Sequence, residues 1–166
     1  MAGHDREQLG YAYSDPINHA TRIPVFVSFV AVLLGSYDLL RGFMHTVMLK
    51  YSATNIAVID LSTSTASDQL RLLGAFGISN LETGVVLILV GLYARGLALA
   101  MLGVIPAVYC IGYFAIHANI DSYAPSKANW GGVPPLMAYL GFCLATFIAG
   151  VIVTRRRSTR TATSVA

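Results

Sequence analysis

Four predominantly apolar stretches, at 24–49, 70–93, 97–118 and 134–153, leave this chain few ways to fold. Each has the roughly 20 residues that a helix needs to cross the hydrocarbon of a bilayer. In hydrocarbon every backbone N–H and C=O must be satisfied within the structure, so helices and closed barrels are the available solutions. Stretches of this length point to helices. Composition agrees, with 55% hydrophobic and 11% charged residues against about a quarter charged in soluble domains. The expected fold is all-α: a polytopic membrane protein with four transmembrane helices in one antiparallel bundle, flanked by an N-terminal tail at 1–23 and a basic C-terminal tail at 154–166.

The opening MAGHDREQLGYAYSDPINHATR is polar where an apolar signal core would have to begin, so the first span is expected to stay in the mature protein. Orientation follows the placement of Lys and Arg beside the spans. Four crossings put Arg6, Arg22, Arg95, Arg155, Arg156, Arg157 and Arg160 on one side and Lys50, Arg71 and Lys127 on the other. Both termini are therefore expected to be cytoplasmic. The net charge of +3 is concentrated in the tail TRRRSTRTATSVA. A short basic run directly after a span serves as an anchor on anionic headgroups, at about 1 kcal/mol per charge. No interleaved aromatics or binding fold accompany it, which argues against a nucleic-acid partner.

Ala94, Arg95 and Gly96 leave little room between the second and third spans, so these form a tight hairpin. The opposite side carries YSATNIAVIDLSTSTASDQ and NIDSYAPSKANWGGVPP, two longer connections. Solvent-accessible function is expected on that side. Within the first connection, Ile56 to Leu61 reads as a short strand or an interfacial segment. Tyr51, Tyr123 and Trp130 fit an aromatic belt at the span ends.

Asp38, Arg41 and His45 share one face of the first span. Ionisable groups in hydrocarbon usually mark a functional site or a buried partner. At about 1.5 Å rise per residue, Arg41 lies roughly 13 Å and Asp38 roughly 18 Å inward from Lys50, while Asn80 and Glu82 lie roughly 13 Å and 16 Å inward from Arg71. Asp38, Arg41, Asn80 and Glu82 thus fall in one layer, and His45 lies nearer the boundary. Arg41 is within reach of Asp38, three residues earlier, and of a carboxylate on the second span, and its planar fork suits bidentate pairing.

Gly77, Gly84 and Gly91 recur every seven residues and form a smooth stripe that invites close helix packing. At about 100° per residue Asn80 lies beside this stripe and Glu82 nearly opposite it. If the stripe faces into the bundle, Glu82 looks toward another helix, a second subunit or another protein. The third span aligns Gly103, Pro106, Cys110, Tyr113 and His117, and the fourth aligns Tyr139, Cys143, Thr146 and Gly150. Both stripes are expected to face inward, with Cys110 near Cys143 in depth and with Tyr37, Tyr109, Tyr113, His117 and Tyr139 as candidates to line an outer cavity. Cysteine packing as a small hydrophobe and tyrosine packing with its hydroxyl bonded account for the same residues without any chemistry.

Redox chemistry at a membrane thiol needs an accessible, low-pKa cysteine, commonly in a Cys-x-x-Cys pair, and this chain has two lone cysteines. His45 and His117 stand near the same ends of their spans, which leaves haem ligation between facing helices as an alternative. No metal is expected, since His4 and His19 are in the N-terminal tail and no paired histidine spacing occurs. The polar residues admit three readings. They are a static network that sets helix register, a proton relay through His45, or a site in which Arg41 holds an anionic group.

The segment LRLLGAFGISNLETGVVLILVGLYARGLAL, with its Gly-rich second span and basic hairpin, resembles the small four-helix DoxX-like bacterial membrane proteins over about Leu70 to Tyr113. The resemblance implies a bundle in a bacterial inner membrane, accessory to a redox or stress-response complex, and it carries no catalytic residues onto this chain. The reading overall is a non-enzymatic accessory or assembly subunit that forms a homo-oligomer or joins a larger membrane complex. A small proton-coupled carrier is the alternative, and a haem- or quinone-linked membrane enzyme the third.

Overall fold

The structure is a computed structural model and describes residues 23–120 and 131–163, with side chains among them up to 159. His4, Arg6, His19, Arg22, Tyr123, Lys127 and Trp130, and the side chain of Arg160, lie outside the described residues. Among the described residues there are helices and no strand. The chain forms α1 (Val25–Thr46), the single turn α2 (Leu49–Tyr51), a π-helical turn π1 (Ser52–Ile56), α3 (Ala66–Tyr93), α4 (Arg95–Ile120) and α5 (Val133–Thr163). Four of these, α1, α3, α4 and α5, are long and apolar enough to cross a membrane. The fold is that of a multi-pass membrane protein.

Local chemistry sets the ends. Proline has no N–H to lose at a helix start, and α1 begins directly after Pro24. At its other end the Phe43 carbonyl accepts from both Val47 and Met48, at 2.9 and 3.3 Å. That shared acceptor loosens the ladder, so α1 stops at Thr46 rather than 49, and the chain continues through α2 into π1. The π-turn is closed by the Ala57 N–H on the Ser52 carbonyl at 2.9 Å, and Ser52 and Ala53 are fully buried. Ile56 therefore ends a helical turn, and the following residues to Leu61 are loop and turn rather than strand. Ala94 alone separates α3 from α4. At the far end α5 continues to Thr163, because RRRSTRTAT holds no Gly or Pro to stop it.

α1 packs against α3, α4 and α5, and α4 packs against α3 and α5. At Gly35 and Gly84 the α1/α3 contact is backbone on backbone. A Cβ on Gly84 would stand 2.7 Å from the Gly35 carbonyl oxygen, and one on Gly35 would stand 2.7 Å from that of Gly84. Gly77 lies against His45 and Thr46, and Gly91 against Ser28 and Val32. The glycine stripe of α3 thus faces α1, which answers it with Gly35 and Gly42, also seven residues apart. Without a hydrophobic force between helices in lipid, close approach of this kind is what holds spans together. Val27, Ala31, Leu87, Ala98 and Leu102 are fully buried where the four helices meet. Beyond Ile105 no α4 side chain is buried.

Candidate functional site

The buried charge sits where α1 and α5 meet. Asp38 and Arg41 are three residues apart on α1, with side chains 3% and 14% exposed, and Arg41 Nη1 donates to Asp38 Oδ1 at 3.3 Å. The second carboxylate oxygen, Oδ2, accepts from the Tyr139 hydroxyl at 2.6 Å. Tyr139 comes from α5, so this bond ties together residues far apart in the chain. The Arg41 guanidinium carbon lies 5.5 Å from the centre of the Phe76 ring, 5.7 Å from Tyr37 and 5.9 Å from Tyr139. At such distances a cation is attracted by the ring faces. Three rings from three helices therefore take the place of water around the guanidinium.

This geometry departs from the expected one in two respects. Arg41 meets its acid through one nitrogen rather than a bidentate fork, and Glu82 takes no part. The reason is the glycine stripe: turning Gly77, Gly84 and Gly91 onto α1 places Asn80 inside, 4% exposed, and leaves Glu82 on the opposite, exposed face of α3. Sixteen residues into a 28-residue helix, Glu82 is near its midpoint. The polar layer is split between the interior and the outside of the bundle.

His45 bonds through Nδ1 to the Ser52 hydroxyl of π1 and packs on Phe76 at 6.0 Å between ring centres. It fastens the π-turn over the Thr46 end of α1. His117 donates from Nδ1 to the Tyr113 carbonyl oxygen at 3.1 Å, and its ring lies 4.1 Å from that of Tyr113. Both are exposed on the sparsely covered half of α4. Among the described residues no three His, Cys, Asp or Glu side chains gather as a metal site requires.

Tyr139 borders two spaces, one with Tyr37 and one with Tyr109. Tyr37 and Tyr139, 5.9 Å apart between ring centres, line an apolar groove of about 440 Å³ with Val30, Leu34, Pro135 and Phe142. A separate cavity of about 200 Å³ is bordered by Asp38, Asn80, Thr83, Tyr109 and Tyr139. Tyr113 and His117 border neither of these two spaces. The α5 stripe does face inward: Tyr139, Cys143 and Thr146 are buried. The α4 stripe does so only at its first residues, where Gly103 lies against Phe147. Cys110 is exposed, Cys143 is buried, and both thiols are free.

Comparisons with protein-family models, with curated proteins and with solved structures find no match to this chain. Phe76 beside Arg41, Thr83 on the cavity wall and Ser52 bonded to His45 belong to the polar cluster without having been singled out in the sequence. Phe76 and Thr83 carried a usable signal, since each directly precedes a stripe glycine, Gly77 or Gly84, and so borders the face turned to α1. Ser52 arrives through the π-turn, whose hydrogen bonding leaves no pattern in the sequence.

Proposed function

We propose that this protein is an accessory or assembly subunit of a larger membrane complex, and that its role is structural rather than catalytic. The observation that carries this reading is Glu82, an exposed carboxyl near the middle of an apolar helix. An acid at the centre of a span costs roughly 2.5–3.5 kcal/mol on insertion scales. The internal network offers it no relief, because Arg41 is already engaged by Asp38 and three rings. A neighbouring span with a donor or a cation at the same depth would supply a partner that the described residues do not. The bundle is antiparallel in this proposal, with both termini cytoplasmic, and the resemblance noted above suggests a bacterial inner membrane.

The test is the mass of the complex extracted from its native membrane in mild detergent and measured by native mass spectrometry. The expected species is heavier than 17.7 kDa by whole protein subunits, copies of itself or another chain. Glu82→Leu is expected to lower its share at least tenfold while leaving the monomer's thermal stability unchanged. A bare monomer for the native sequence, or a complex indifferent to Glu82→Leu, would overturn the reading.

A further inference from the structure

The cavity of about 200 Å³ beside Asp38 has a polar wall and an apolar one. Asp38, Asn80, Thr83, Tyr109 and Tyr139 form the first, and Met101, Val104, Ile105 and Val108 of α4 form the second. Val104 and Val108 are 51% and 59% exposed, so the space opens between helices on the outer surface of the bundle. Asn80 is 4% exposed and its amide nitrogen has no hydrogen-bond partner. A buried amide left unpaired costs about 1–3 kcal/mol. In hydrocarbon there is no water at hand to take its place.

We infer that this cavity is a binding site for a small uncharged molecule, one ring in size, with a hydroxyl or carbonyl head on an apolar body. Charge decides the class. Asp38 is already compensated by Arg41 at 3.3 Å, so a charged ligand would arrive as an unbalanced charge in a low-dielectric site. A neutral head meets what is there: the Asn80 amide and the Tyr109 and Thr83 hydroxyls donate or accept, and Asp38 has lone pairs beyond the two bonds it already receives. Size decides the rest, since drug-sized ligands occupy about 300–1,000 Å³, and this cavity is smaller. Its apolar wall of Val, Ile and Met fits a ring or short alkyl body rather than a cluster of water. The inference is independent of the assembly role proposed for the Glu82 face, which lies on the other side of α3.

Phenol and cyclohexanol are the probes, with benzoate as the charged control. Binding is read by ligand-observed NMR on the full chain in nanodiscs against empty nanodiscs. Saturable binding of phenol or cyclohexanol is expected, with benzoate at least tenfold weaker. Asn80→Leu is expected to weaken it at least tenfold with thermal stability unchanged or raised, because the substitution removes an unpaired amide. Thr83→Val, a near-isosteric change at a partly exposed position, is expected to weaken binding severalfold and guards against a folding defect in the first variant. Linear partition equal to that of empty nanodiscs, benzoate binding as tightly as phenol, or full binding by both variants would overturn the inference.

Discussion

Arg41 has one carboxylate and three aromatic rings around it, so its removal leaves Asp38 as a buried charge held by Tyr139 alone. Breaking a buried pair from one side costs about 3–5 kcal/mol. Arg41→Met is expected to lose that much stability, seen as a lower midpoint of thermal unfolding in detergent. Adding Asp38→Asn to the same chain should restore part of it, and a double variant no better than the single would show that the pair is not the cause. In the loop, Asp60 Oδ1 accepts from the Ser62 hydroxyl at 2.7 Å and from the Ser62 N–H at 2.9 Å. These bonds hold its carboxyl below the usual carboxylate range. The turn they support is therefore fully present above about pH 4, the unfolded value, and is lost as pH falls through the lower folded one. The Ser62 amide resonance should titrate with a midpoint below about 3.9.

The elements are joined by surfaces with no spare room at some positions and open space at others. A methyl on Gly84 would meet the Gly35 carbonyl oxygen at 2.7 Å, whereas one on Gly112 of α4 would meet nothing within 4 Å. Overpacking costs about 1–3 kcal/mol, and Gly84→Ala is expected to lower the thermal midpoint accordingly. Gly112→Ala should leave it unchanged or raise it, since alanine favours the helix by up to about 1 kcal/mol. Equal effects at the two sites would mean that α1 and α3 do not pack as described. Val58, after π1, holds a φ of 53°, a left-handed backbone that costs a side-chain-bearing residue about 1–2 kcal/mol. Val58→Gly is expected to stabilise the loop, read as slower proteolysis between α1 and α3.

For the whole molecule the distribution of thiols offers a direct check. With Cys110 exposed and Cys143 buried, a membrane-permeant maleimide should label one thiol per chain in the dispersed monomer, and the label should map to α4. Much of this architecture was legible in the sequence, because length and hydropathy act residue by residue and need no knowledge of neighbours. The four spans follow from that, and so does the placement of Glu82 opposite the glycine stripe, which is fixed by helical period alone. The polar site was legible only in part. Depth along the axis put Asp38, Arg41, Asn80 and Glu82 in one layer, but a layer is a ring with no angular order. Which groups meet within it depends on how the helices are arranged and rotated about each other. Tertiary packing made that choice: backbone contact at Gly35 and Gly84 turned Asn80 inward and Glu82 outward, and the seating of α5 on α1 gave Asp38 a tyrosine as its second partner. It also put Tyr37 on the groove, Tyr109 on the cavity and Tyr139 on both, since rings from different helices share a space only when the surfaces between them leave one open.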